Sequence, residues 1–320
     1  MVPVQEETAG PLRIGLNMIA VARLLKNTRG RDLVVGNIHG LHSQLVGLLE
    51  AVGFDPQADR LICCGNLTAD GPEWAKVVGL LEEKWFFSVM GDIDLWLCHQ
   101  EDSEMRAVLG EAKWLTPGPT PVWAGLPESE RRALAHRLKA LPIALEIETD
   151  IGLVGVVNGE VPLYEESSDF VPQMGAPPPS VDSFCVKGVA PNPDTTIHAP
   201  YRRLHWEEFK DLLHLSDPYT ISSAVRSDRF LRWREGDLVD GVEAVFHGRD
   251  HDLALCPLKR GNRHYLDTAA YWVEGLRRWG VTDEKEKKEA LAQAGLSILD
   301  LARPDAPLVI AGQCTSAIHG

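Results

Sequence analysis

Three short stretches hold most of the residues able to do chemistry. They read Gly36-Asn37-Ile38-His39-Gly40, Gly65-Asn66-Leu67-Thr68-Ala69-Asp70-Gly71-Pro72 and Gly91-Asp92-Ile93-Asp94. Each follows a short apolar run, so its polar side chains sit at the carboxyl end of a buried strand, where open α/β sheets build their sites. Carboxylates and imidazoles placed there can bind a metal or move a proton. The amides of Asn37 and Asn66 have nearly the shape of aspartate, but they carry no charge and only one carbonyl oxygen. With His247, Asp250 and His251 from a later stretch, VEAVFHGRDHD, the set His39, Asp92 and Asp94 offers ligands for a mononuclear metal site. The structural alternative is a hydrogen-bonded core histidine at 39 and loop histidines at 247 and 251. Outside these stretches, His198, His205 and His214 lack metal-ligand spacing, and Ser167-Ser168 and Ser222-Ser223 lack a nucleophile context. Neither a G-x-x-x-x-G-K-[S/T] phosphate loop nor a G-x-G-x-x-G turn occurs.

The elements that must position these residues follow from periodicity. Residues 33–35, 61–64 and 85–89 read as strands. Helices follow over 42–52, with Leu45, Leu48, Leu49 and Val52 on one face, and after Pro72, with Trp74, Val77, Val78 and Leu81. Three strand–turn–helix units in a row imply a parallel sheet with right-handed crossovers. Farther on, a helix opens at 127–130 with Leu134, Leu138 and Leu141 as its apolar positions. Residues 143–148 and 153–157 alternate like a hairpin across Asp150-Ile151-Gly152. A helix is expected over 206–213 and a charged, solvated one around 283–292. Residues 12–27 place Ile14, Met18, Val21 and Leu25 at helical spacing, which predicts a docking helix.

The three stretches resemble the signature blocks of the calcineurin-like metallophosphoesterases, most nearly the bacteriophage lambda-type and bacterial serine/threonine protein phosphatases. That family reads G-D-x-H-G, then G-D-x-x-D-R-G-P, then G-N-H-E. The likeness runs in order from Asp32 to about Leu301 through Val122–Pro162, VEAVFHGRDHD and GNRHYLDTAA. It implies an α/β fold: a two-sheet sandwich flanked by helices, here with an inserted loop and terminal extensions. It divides the chain into an N-terminal extension (1–31), a metallophosphoesterase-like domain (32–302, with insertions at about 163–205 and 271–294) and a C-terminal tail (303–320). It also implies a two-metal site whose ligand positions fall on Asn37, His39, Asn66, Asp92, Asn158 and Arg249. Only His39 keeps the ligand the family uses at its position. Asn66 stands for the bridging aspartate, and Asn158 for a histidine. Arg249 would set a cation where a ligand belongs, free to fill the vacated space against Asp92 or Asp250. The catalytic positions are altered too: Ile93 stands for the histidine that protonates the leaving group, Ala69 and Asp70 for the Asp-Arg pair, and Met90 for an arginine. Arg226 aligns with a phosphate-clamping arginine.

Losses in all five blocks imply a catalytically inactive relative of metal-dependent serine/threonine protein phosphatases, retained as a protein-binding or structural scaffold. On that reading no cofactor is expected. The alternative is a metallophosphoesterase with an altered metal site, holding Mn²⁺ or another divalent ion and hydrolysing a phosphoprotein or phosphodiester. Residues 163–204, rich in Pro, Ser and Asp and including Pro177-Pro178-Pro179, form an unusually long irregular insertion. It reads either as a surface excursion or as a lid or partner arm beside the old site.

The chain has 320 residues and a formal charge of −14, with no basic run interleaved with aromatics, so no nucleic-acid partner is expected and the acidic surface reads as a solvated one; the protein partner follows from the scaffold reading. Six cysteines without a C-x-x-C pair imply free thiols in a reducing compartment. With no apolar run long enough to span a bilayer and no basic start typical of a signal peptide, no membrane partner and a cytoplasmic location are expected.

Overall fold

The computed structural model describes residues 18–68, 71–103, 105–106, 125–165, 201–226, 238–248, 258–266, 295–304 and 307–310. Two sheets are built from these residues. The first holds β2 (Asp32–Val35), β3 (Arg60–Cys63) and β4 (Phe86–Ser88) in parallel, each entering one of the three signature turns. It is extended by β12 (Ser297–Asp300), antiparallel to β2, and β13 (Pro307–Ile310), antiparallel to β12, in the order β13-β12-β2-β3-β4. The second sheet runs β1-β5-β6-β9-β11-β10, with β1 (Ile19–Leu24), β5 (Pro142–Thr149), β6 (Gly152–Val157), β9 (Ala244–His247), β10 (Leu258–Arg260) and β11 (Arg263–Tyr265). The hairpin expected across residues 150–152 is the antiparallel β5–β6 pair.

Period-2 alternation explains how the sheets meet. Val34, Ile62 and Leu299 of the first sheet and Leu145, Ile147, Val154, Val156, Ala244 and Phe246 of the second belong to one buried cluster, the layer between the sheets. Their neighbours Leu33, Val35, Leu61, Cys63, Ala144, Val157 and Val245 face outward into the helix-covered core. The outer helices of the first sheet are α1 (His42–Ala51), α2 (Trp74–Gly79), which continues into a 3-10 turn at Leu80–Glu82, and α3 (Asp92–Glu101). A fourth, α4 (Glu128–Leu138), packs on α3 and buries Leu134 and Leu138. On the second sheet, α5 (Trp206–His214) lays Trp206 over Gly155, where any Cβ would come within 2.4 Å of the indole. Its indole N–H donates to Glu146 (2.9 Å), which also pairs with Lys210 (2.6 Å).

The helix expected over 12–27 is not formed: Ile19–Leu24 is β1, paired in parallel with β5 from Ile19↔Pro142 to Leu24↔Ile147. The spacing of Met18, Val21 and Leu25 suits a helix, but β5 has an open edge. The ladder bonds along it, together with β-branched Ile19 and Val21, decide in favour of a strand. The first seventeen residues lie outside the described residues, as do the charged stretch 283–292 and most of the insertion. The ends of that insertion form an antiparallel neck, β7 (Leu163–Glu165) with β8 (Tyr201–Arg203).

One further helix places the site. α6 (Pro218–Val225) is capped by Asp217, whose carboxylate accepts from the Thr220 N–H at 2.8 Å. Its last turn presents carbonyls with no intrahelical partner, and those of Ala224 and Ser223 accept from the N–H groups of Gly159 (2.6 Å) and Glu160 (2.7 Å). Asp217→Ala should cost about 1 kcal/mol in urea unfolding. An unchanged midpoint would mean that the cap does not hold this helix.

Candidate functional site

The three signature turns converge because their glycines let them touch. Gly65 sits at φ +107°, and a Cβ there would lie 2.7 Å from Asn158 Nδ2 and 3.0 Å from the Gly91 nitrogen. At Gly91 it would fall 2.1 Å from Asn66 Oδ1. His39 and Asn66 themselves take left-handed backbone conformations (φ 51° and 47°). The His39 N–H donates to the Asn66 carbonyl at 2.8 Å, and Gly40 N–H to that of Leu67 at 2.9 Å. These contacts bring Asn37, His39, Asn66, Asp92 and Asn158 together, all of them buried.

What joins them is amide chemistry. Asn158 Nδ2 donates to Asn37 Oδ1 and to the Cys64 carbonyl, both at 2.7 Å. Asn66 Nδ2 donates to Asp92 Oδ1 at 3.0 Å, and Asn66 Oδ1 accepts from the Ile93 N–H at 3.1 Å. Reversing the Asn158 amide would set oxygen against oxygen on both contacts, so its orientation is fixed by its neighbours. The Asn158 N–H groups occupy a role that a cation would otherwise fill, drawing two acceptors together.

Asp94, expected as a candidate ligand, is turned elsewhere. It is fully buried and accepts from the N–H groups of Gly91 (3.2 Å), Leu67 (3.3 Å) and Thr68 (3.4 Å) and from the Thr68 hydroxyl (3.2 Å), tying the second turn to the start of α3. Burial outweighs these donors and pushes its carboxyl up to about 6. His247 is the last residue of a strand rather than part of a loop. It is buried, with Nδ1 2.6 Å from the Gly159 carbonyl and its ring stacked on Tyr265 at 4.7 Å. Burial lowers its pKa to about 4, so at neutral pH it is an uncharged imidazole whose Nδ1–H donates to that carbonyl. Met90 is a core residue, and Arg226 follows the end of α6, its N–H on the Ser222 carbonyl at 2.9 Å. Ala69, Asp70, Arg249, Asp250 and His251 lie outside the described residues. Cys63, Cys64 and Cys98 are free and buried; burial drives the Cys63 thiol up to about 12, far from nucleophilic.

A neighbouring group was not legible beforehand. Glu160, two residues past Asn158, is wholly buried and meets Arg203, Arg263 and Tyr265. Arg203 closes the neck of the insertion, while Arg263 and Tyr265 lie on β11. The only advance signal was Arg263-His264-Tyr265 within the GNRHYLDTAA block, an alternating segment that sets a charged residue on the same strand face as an aromatic.

Comparison with known proteins bears on this geometry. No family model matches the chain. Serine/threonine-protein phosphatase 1 of Salmonella typhimurium is 34% identical over 118 residues, 36% of this chain and 51% of the relative. Serine/threonine-protein phosphatase 2 of Escherichia coli is 42% identical over 59 residues, 18% of this chain and 27% of that protein. The symmetrical bis(5'-nucleosyl)-tetraphosphatase of Klebsiella pneumoniae is 33% identical over 75 residues, 23% of this chain and 24% of the relative. The chain is a distant homologue of calcineurin-like metallophosphoesterases. It spans about half the length of the first of these curated relatives and about a quarter of the other two. Among solved structures, the cold-active protein-tyrosine phosphatase of a psychrophilic Shewanella is 10% identical, with a TM-score of 0.45 and coverage of 91% of this chain and 79% of that one.

The metal pair implied by the calcineurin-like fold requires anionic oxygens to offset four positive charges, one of them able to bridge. At the ligand positions that the resemblance implies, the described residues supply three amides, one imidazole and the single carboxylate of Asp92, whose Oδ1 is engaged by Asn66. No group of three or more His, Cys, Asp or Glu side chains arranged to hold a metal occurs among the described residues. This donor set does not fit a two-cation centre. Ile93, which the resemblance sets at a proton-donor position, has a side chain with no proton to give a leaving group.

Proposed function

We propose that this chain is a catalytically inactive member of the phosphatase fold, kept as a scaffold that binds protein. One observation carries the reading: Asn158 presents an N–H to Asn37 where the family presents two metal ligands to a cation. A centre of this kind is held by amide hydrogen bonds, with Asp92 as its one carboxylate, and keeps its shape without metal. The neck-anchored insertion supports a protein partner, with the insertion and the termini as the contact surfaces. Loss of hydrolysis and retention of fold are compatible, since the fold by itself carries no activity.

The test is metal content after loading the purified chain with Mn²⁺ and desalting, with turnover of a phosphopeptide and of p-nitrophenyl phosphate measured on the same sample. The expected result is substoichiometric metal and a rate equal to the no-enzyme background. Near-stoichiometric metal, together with turnover that disappears in Asp92→Ala, would overturn the proposal and establish a working metallophosphoesterase with an altered site.

A further inference from the structure

We infer that Arg263 is the floor of a buried site for a small oxyanion, a phosphate or a carboxylate, on the outer face of the six-stranded sheet. Arg263 is 0% exposed and sits on β11 opposite Val245 of β9. Alternation puts Arg263 and Tyr265 on one face with Val245 and His247, while His264 turns the other way to stack on Phe246 at 4.9 Å. A guanidinium has two usable edges. On Arg263 one nitrogen is spoken for: Nη1 donates to the Tyr265 hydroxyl at 2.7 Å. The other edge, formed by Nε and Nη2, is buried and has no hydrogen-bond partner.

Those two N–H bonds run parallel and form the fork that accepts two oxygens of one carboxylate or phosphate. The nearest carboxylate in the cluster does not supply them. Glu160 gives Oε1 to the Tyr265 hydroxyl and Oε2 to Arg203 Nη1 at 3.2 Å, and its Oε2 lies 3.5 Å from the already engaged Nη1 of Arg263. A buried cation with an unmatched bidentate edge is costly unless something fills that edge. The Tyr265 and Glu160 contacts fix the guanidinium plane, so the fork is held in one orientation. This preorganisation is what a small, weakly adhering anion requires. The site adjoins the amide cluster through Asn158-Gly159-Glu160, but it uses none of the family's metal-ligand positions. It therefore stands whether or not the phosphatase reading does.

Thermal unfolding of the full chain tests it, at low millimolar sodium phosphate, sodium acetate or sodium chloride of matched ionic strength. At these concentrations general salting effects are small and specific binding saturates. One of the two oxyanions should raise the midpoint by about 3 °C over chloride at roughly tenfold excess over its Kd. A response to phosphate alone identifies phosphate, and a response to acetate identifies a carboxylate ligand. Arg263→Gln should abolish the rise. Should that variant not fold, Arg263→Lys keeps the charge but loses the fork, and it should reduce the rise to a fraction of the wild-type value. No oxyanion effect in the wild type beyond chloride would overturn the inference, leaving ordered water on the fork. So would a rise of equal size in Arg263→Lys.

Discussion

Glu160→Gln is expected to destabilise the folded chain by about 3–5 kcal/mol, the scale for removing one partner of a buried ion pair and leaving the other charge behind. The substitution preserves side-chain size, so packing changes little and the loss reports charge. In the wild type, Glu160 Oε2 accepts from Arg203 at 3.2 Å and lies 3.5 Å from Arg263, with all three side chains at 0–1% exposure. A neutral amide leaves both guanidiniums facing an uncharged oxygen in a fully buried site. Urea unfolding at pH 7 measures the effect, and a loss below about 1 kcal/mol would mean that these arginines are neutralised by something other than Glu160.

The pH dependence should point the same way. Burial by itself would raise the Glu160 pKa, but His247 once protonated, the charges of Arg203 and Arg263 and the Tyr265 hydroxyl outweigh it and hold the carboxyl at about 2, below its ordinary 4.5. A depressed carboxyl stabilises the fold fully above its unfolded pKa and loses that contribution as pH falls. His247, held near 4 against an ordinary 6.5, acts in the same direction, since the folded state resists taking up its proton. Wild-type stability should therefore decline as pH falls from about 6.5 toward 2, and Glu160→Gln should flatten the lower part of that decline.

How much of this was legible depended on whether the signal was local. The three strand–turn–helix units were readable because each is contiguous: alternating Leu33, Val34 and Val35 set two faces, and a glycine turn and a periodic helix follow. The β5–β6 hairpin was readable for the same reason. Asn37, Asn66 and Asn158 could be placed at one site because the glycine frame fixes register, and the structure brings them together. What could not be read was how those amides would bond to each other, since Asn158 meets Asn37 across 121 positions. Residues 19–24 were misassigned because their side chains satisfy a helical period, whereas the deciding interaction, the free edge of β5, lies more than a hundred residues away. The Glu160 cluster left almost no trace for a like reason. Glu160 follows β6, Arg203 ends β8, and Arg263 and Tyr265 lie on β11, with hydrogen-bonded pairs 43 and 105 positions apart. Buried charge is a product of assembly, and no spacing rule encodes it.

The amide cluster admits a sharper test through Asn66→Asp, which sets a second carboxylate beside Asp92 at the position the resemblance implies for a bridging ligand. Asn66 Nδ2 now donates to Asp92 Oδ1 at 3.0 Å; after substitution two carboxylate oxygens would meet at that distance in a buried setting. Two like charges so placed repel by about 5 kcal/mol at an effective dielectric of 20. Protonating one of them limits the cost: lifting a carboxyl from near 4 to above 7 amounts to about 4 kcal/mol. The N-terminus of α3 and the Ile93 N–H favour negative charge at this point and recover part of it. The variant should therefore lose about 2–4 kcal/mol at pH 8. A carboxyl pair whose folded pKa is raised binds its proton more tightly folded than unfolded, so stability should return as pH falls toward 5. Millimolar Mn²⁺ at pH 8 should also restore it by bridging the two carboxylates, while leaving the wild-type midpoint unchanged. A variant as stable as wild type at pH 8 without metal would mean that a neighbouring cation already compensates the pair. The account of this cluster as amides standing in for a cation beside Asp92 would then fail at its central contact.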